Sequence, residues 1–243
     1  MNEGMHMNRA REFGSRDPRQ ARWAGVCGCV AAIAMLAALP GCSESGDESN
    51  KINGSIHVPV GRQPGAVATV NGSIHVDDSA SITSATTVNG SVHLGDHASA
   101  TSLNSVNGSI VLGAGARVSG GASLVNGEIT LDDGAEVSGS LSNVNGKITL
   151  KAAHVGGGIK TVNGSMSITG ASHVEGGILV EKPSSELIQM VRDVPRIVIG
   201  PGATVQGELR FERTVKLFVS DKAAIGTVTG ATPIPFTGET PPN

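Results

Sequence analysis

The pair Asn-Gly recurs seven times, at Asn53-Gly54, Asn71-Gly72, Asn89-Gly90, Asn107-Gly108, Asn126-Gly127, Asn145-Gly146 and Asn163-Gly164, always 18 or 19 residues apart. A β-branched residue precedes every Asn, Ile52 in the first copy and valine in the other six, from Val70 to Val162, which suits a strand leading into the pair. Three residues after the Asn stand Ile56, Ile74, Val92, Ile110, Ile129, Ile148 and Met166. Five after it stand Val58, Val76, Leu94, Leu112, Leu131, Leu150 and Ile168. Apolar residues at period two predict a strand with one buried face. A second apolar spot runs through Ile82, Ala100, Val118, Val137, Val155 and Val174, and a third through Ala85, Leu103, Leu141, Ile159 and Ile178. Each repeat thus has about three short sides.

A unit this short cannot bury three apolar spots alone. Stacked as coils, equivalent side chains lie ~4.8 Å apart and merge into one core. The expected fold is all-β, a single-stranded parallel β-helix (β-solenoid) of about 18 residues per coil, spanning 51–182 and resuming over 196–230. Asn-Gly is also the favoured two-residue hairpin turn, but antiparallel hairpins require neither constant spacing nor the same side chain at every equivalent position. Valine, isoleucine, leucine and phenylalanine make up about a quarter of the chain, enough for a core. The 34 glycines follow no Gly-X-Y period and point to repeated tight turns instead.

The seven Asn-Gly pairs therefore read as structural corners. Glycine takes positive φ without cost, asparagine tolerates it, and stacked amides can hydrogen-bond along the column. Ala80, Ala98, Ala116, Ala135 and Ala153 recur at a second corner, where close approach also demands a small residue. Between the two solenoid stretches, residues 183–195 break the pattern and are expected to form an irregular or short helical insertion before Pro195. Residues 231–243, with four prolines, are expected to be a disordered tail.

The amino terminus reads as an address. Arg9, Arg11, Arg16, Arg19 and Arg22 precede an apolar run from Ala24 to Pro40, too short to span a bilayer comfortably but suited to a signal segment. The run ends in Leu39-Pro40-Gly41-Cys42, which resembles the lipobox of bacterial lipoproteins. The resemblance implies that 1–41 is removed as a signal peptide and that Cys42 is lipidated, anchoring the mature chain to a membrane. Ser43 after the cysteine implies, by the same resemblance, an outer-membrane location in the cell envelope, facing the periplasm or the surface. Cys27 and Cys29 leave with the signal, so the mature chain keeps no free thiol for disulfide or redox chemistry. Residues 42–50 are polar and acidic and read as a flexible tether.

Two phrases carry a second resemblance. Ile199 to Gly207 (Ile-Gly-Pro-Gly-Ala-Thr-Val-Gln-Gly) resembles the repeat of bactofilins, bacterial polymer-forming β-helical proteins, and Val70 to Ile74 (Val-Asn-Gly-Ser-Ile) resembles repeats of bacterial putative-adhesin domains. These resemblances imply right-handed coils and a structural role, self-assembling or adhesin-like, with another copy or an envelope polymer or protein as partner.

The chemistry-bearing residues are sparse. A net charge of −3 offers no basic excess for phosphate neutralisation, so nucleic acid is not an expected partner. His57, His75 and His93 share one register, alternate with inward residues, and should form an outward column; the next coil carries Val111 there. Parallel imidazoles with no evident carboxylate to close a site argue for a solvated face, with metal binding the alternative. Asp77-Asp78, Asp96 and Asp132-Asp133 follow the strand and read as polar turns rather than a Ca²⁺ site or a glycosidase pair. A polysaccharide-modifying β-helix enzyme would gather acids and bases around Lys147, Lys151 and Lys160 and line a groove with aromatics, but past residue 42 only Phe211, Phe218 and Phe236 are aromatic. No nucleophile elbow, phosphate loop or zinc-protease motif appears. The expectation is a non-catalytic, lipid-anchored structural or interaction module without a cofactor.

Overall fold

The computed structural model describes residues 50–183 and 194–242. The signal segment, Cys42 and the tether up to Ser49 lie outside the described residues, as does the insertion apart from Pro183, Val194 and Pro195. The described chain is a parallel β-solenoid of about 9 turns with a coil spacing of about 19 residues, and no helix occurs among the described residues. Its strands form a 16-stranded and a 7-stranded sheet.

Each coil has three sides. The first leads into the Asn-Gly corner, as in Ser84–Asn89, and the second leaves it, as in Val92–Leu94. In the middle coils these two sides fuse into one strand bent at the corner: Ser102–Leu112, Ala122–Leu131, Leu141–Lys151 and Ile159–Thr169. The third side is a strand of two residues, such as Arg117–Val118 or His154–Val155, and these stack into the smaller sheet. Registers are in phase with the repeat. Ile56 lies beside Ile74, Ile110 beside Ile129, and Asn126 beside Asn145. The three expected apolar columns and the alanine column are all buried and form one continuous core.

Of the residues before Asn only Val162 is buried. Val70, Val88, Val106, Val125 and Val144 are only half-buried, and Ile52 is exposed. The inward position is one residue earlier, where Thr69, Thr87, Ser105, Asn143 and Thr161 are buried. Thr69 Oγ1 donates to the carbonyl of Gly54 (3.1 Å), Thr87 to Gly72 (3.0 Å), Ser105 to Gly90 (3.1 Å), and Asn143 Nδ2 to Gly127 (3.2 Å). The chain bends so sharply at the corner that the glycine carbonyl turns inward, and a buried donor from the next coil satisfies it.

The corner itself admits only glycine. A Cβ built at Gly72, Gly90, Gly108, Gly127 or Gly146 would fall on the carbonyl oxygen of the corner glycine one coil earlier. Close backbone approach therefore decides the residue more than φ does, since Gly72 does not take a positive φ. The asparagines form an unbroken amide ladder. Asn71, Asn89, Asn107, Asn126, Asn145 and Asn163 each donate Nδ2 to the Oδ1 of the preceding Asn, at 2.8–3.0 Å.

After Gly164 the spacing jumps to 31 residues, yet the register is kept, with Met166 beside Ile197 and Ile168 beside Ile199. The insertion thus leaves the solenoid at the corner where the next Asn-Gly pair would stand. Arg213, one coil further on, reaches back across the interruption. Its Nη1 donates to Asn163 Oδ1 and to the Val162 carbonyl, giving the last acceptor of the ladder a cationic donor.

Residues 231–243 do not behave as the expected disordered tail. Pro233–Phe236 is a strand parallel to Lys216–Ser220, and Phe236 is buried. The four prolines misled because the strand lies at an edge. Asp221 N donates to the Phe236 carbonyl (3.1 Å), so Phe236 and, two residues back, Ile234 face the sheet, whereas Pro233 and Pro235 turn their nitrogens outward, where no N–H is needed. The segment also covers apolar surface. Val198 and Phe218 lie on the outer face of the second side and join Phe236 in a small separate cluster. Arg196 stacks over Phe218 (4.3 Å to the ring centre) and donates to the Pro242 carbonyl (2.8 Å), fastening the chain end.

Candidate functional site

The polar residues singled out from the sequence have distinct fates. His57, His75 and His93 do form an outward column, with ring centres 5.5 Å and then 4.9 Å apart. The expectation that no carboxylate closes it is corrected: Asp77, two residues beyond His75 and on the same face, places Oδ2 3.0 Å from His57 Nε2 and Oδ1 3.4 Å from His75 Nε2. The alternation of the strand explains this, because residues two apart share a face and the carboxylate reaches back one coil.

The same geometry recurs on the third side, where the sequence alone drew no attention. His154 and His173 are register partners with ring centres 5.6 Å apart, tilted by 38°. Glu175, two residues after His173, places Oε1 3.0 Å from His154 Nε2. Beside Glu175 in the preceding coil stands Gly156, whose missing side chain leaves the carboxylate free to lean toward His154. The only sequence signal was the phrase His-Val-Glu one coil after His-Val, the counterpart of His-Val-Asp one coil after His-Val at residues 57–58 and 75–77.

The other acids are engaged as turn or pairing groups. Asp78 Oδ1 accepts from Asp96 N (2.9 Å) and Asp96 Oδ1 from Ala114 N (2.8 Å), tying successive turns at the second corner. Lys147, Lys151 and Lys160 do not converge. Lys147 is 3.8 Å from Glu128, Lys151 is 2.9 Å from Asp132, and Lys160 is 2.6 Å from Glu181. The hydrogen bond from Lys151 to Asp132, with the field of the same carboxylate, holds the ammonium above the ordinary lysine pKa. Lys160 and Glu181 are the most enclosed of these pairs, each side chain less than a fifth exposed.

The two ends of the solenoid differ. Among the described residues, Asn50–Asn53 and Ile56–Val58 of the first coil have a strand neighbour on one side only, and Ile52 and Val60 are 73% and 65% exposed. Ile56 N donates toward Ser73 and Val58 O accepts from Asp77, so the N–H and C=O of His57 point away from the second coil, along an open edge. At the opposite end Pro233 and Pro235 blunt the edge of the second side. Neither a protein-family model, a curated protein nor a solved structure matches this chain.

Proposed function

We propose that the protein is a lipid-anchored, non-catalytic solenoid of the bacterial cell envelope, held through Cys42 and acting as a structural module that associates with a second copy through its first coil. The observation that carries this reading is the difference between the ends. An open strand edge flanked by exposed Ile52 and Val60 is a template for pairing with another chain. The proline-edged strand Pro233–Phe236 discourages such pairing at the other end. Two copies meeting first coil to first coil would pair their edges antiparallel and form a closed dimer, whereas head-to-tail stacking into long polymers would meet the prolines. The resemblance to lipoprotein signals supports the anchor, and the resemblance to bactofilin and adhesin-type repeats supports a structural or adhesive role. Mutual pairing of the lysines and acids, rather than their gathering around a cleft, favours this reading over a polysaccharide-modifying enzyme.

Sedimentation of the detergent-solubilised full chain over a concentration series tests the assembly. A dimer that His57→Pro converts to monomer is expected, because that substitution removes an outward N–H and no backbone hydrogen bond within the chain, its only intrachain hydrogen-bond loss being the side-chain contact with Asp77. A monomer at every concentration, or long polymers unaffected by the substitution, would sink it. Labelling with radioactive palmitate, lost in Cys42→Ser, tests the anchor separately.

A further inference from the structure

We propose that His154, His173 and Glu175 form a binding site for a first-row divalent cation, with Zn²⁺ the best fit. Among the described residues, these are the three imidazole, thiol or carboxylate donors brought to within 4.8 Å of one another. Two imidazoles and one carboxylate are the ligand set that borderline cations such as Zn²⁺ take, whereas Ca²⁺ and Mg²⁺ prefer oxygen alone.

The distances suit a metal. Ligands held at ~2.0–2.1 Å around a tetrahedral ion lie roughly 3.4 Å from one another. His154 Nε2 and Glu175 Oε1 are already 3.0 Å apart across a shared proton, and an ion replaces that proton with little movement of either group. His173 is fixed by the register to the same face as Glu175 and beside His154, so rotation of one ring about its side-chain bonds brings in the third donor. The side chains of His154 and Glu175 are 38% and 52% exposed, which leaves the outward coordination position to water. The site is therefore open and exchangeable rather than a closed structural centre.

The location gives the ion a consequence. The third side is built on strands of only two residues, His154–Val155 and His173–Val174, the shortest of the three. Ligands from both coils would staple this side just before the insertion that follows Lys182 interrupts the corner ladder. The arrangement at His57, His75 and Asp77 is the natural competitor, since it also pairs two stacked imidazoles with a carboxylate.

The test uses the full chain without an affinity tag, titrated with Zn²⁺ by calorimetry and with Co²⁺ by its visible absorption. One Zn²⁺ per chain is expected. Loss of a direct ligand should weaken binding by at least the roughly 10–100-fold typical of losing an outer hydrogen-bonding partner, so His173→Asn and Glu175→Gln should both show it. Zn²⁺ should raise the thermal midpoint of the wild type and not that of His173→Asn. These side chains lie outside the core, so both variants should keep the wild-type circular dichroism; if His173→Asn fails to fold, the isosteric Glu175→Gln carries the test. No binding to the wild type, equal binding to wild type and both variants, or binding lost in His75→Asn and kept in His173→Asn would each overturn the assignment.

Discussion

The coils from Asn53 to Gly164 and the coils from Arg196 to Phe236 bury the same kind of inner face but close their corners differently. In the first region the Asn-Gly corners share one solution: glycine backbones in near contact, an amide ladder outside and, at four of them, a buried hydroxyl or amide donor inside, with Leu124 filling that column in one coil. In the second region no Asn-Gly pair remains. Phe211, Phe218 and Phe236 supply bulk, and Arg213 ends the ladder that the first region built. The comparison teaches that the inner columns define the solenoid and the corners are interchangeable, provided that each corner satisfies its own backbone groups.

The largest expected effect separates the Asn-Gly corner from the second corner by the reason each needs glycine. Gly108→Ala places a Cβ on the Gly90 carbonyl and must displace backbone in two coils, so it should cost more than about 4 kcal/mol or abolish folding. Gly202→Ala, in the second region, meets nothing closer than 3.4 Å and suffers only its left-handed backbone, about 1–2 kcal/mol. Urea midpoints measure both. Equal costs would break the distinction.

Next comes the junction. Arg213→Met leaves the Asn163 amide oxygen and the Val162 carbonyl without their cationic donor and should cost about 1–3 kcal/mol in the same assay. A neutral result would show that the ladder needs no cap.

A smaller, stabilising effect tests the inner donor column. Asn143 donates to Gly127, but its Oδ1 is buried with no hydrogen-bond partner. Threonine, the residue at the equivalent positions Thr69 and Thr87, offers the donor without the orphan acceptor. Asn143→Thr should therefore stabilise the protein by about 1 kcal/mol, raising the thermal midpoint.

The smallest effect is the pH dependence of an exposed pair. Lys151 is held above the ordinary lysine value of 10.5 by Asp132. A base whose folded pKa is raised contributes stability below its unfolded value and loses that contribution as the pH rises through the folded one. Unfolding midpoints followed from about pH 9 to 11 should fall slightly more steeply in the wild type than in Asp132→Asn. Parallel curves would show that the pair is screened away by solvent.

Much of this was legible beforehand. The period of Asn-Gly fixed the coil length, and the apolar positions three and five residues later fixed the inner columns, because a strand alternates faces and parallel stacking places equivalent residues side by side. Other features were not legible. The valines before Asn suit a strand, but the sequence did not show that most would stay only half-buried, because the corner turns a carbonyl inward and places Thr69 and its equivalents on the inside instead. The final prolines looked like disorder and form an edge strand, because only the sheet decides which nitrogens face a partner. His173 and Glu175 stand two residues apart on one face, but His154 lies a full coil earlier, 21 residues from Glu175, and only the register brings it alongside.

By itself, the sequence determined the repeat, the side of each strand that is buried, and the corners that only a small residue can occupy, since these follow from local periodicity. The tertiary structure alone decided which coil's donor meets which carbonyl, where Arg213 lands, which edge stays open, and which carboxylate reaches which imidazole. Those contacts join residues one or more coils apart, and their partners are chosen by register, a property of the stacked coils that no single stretch of chain contains.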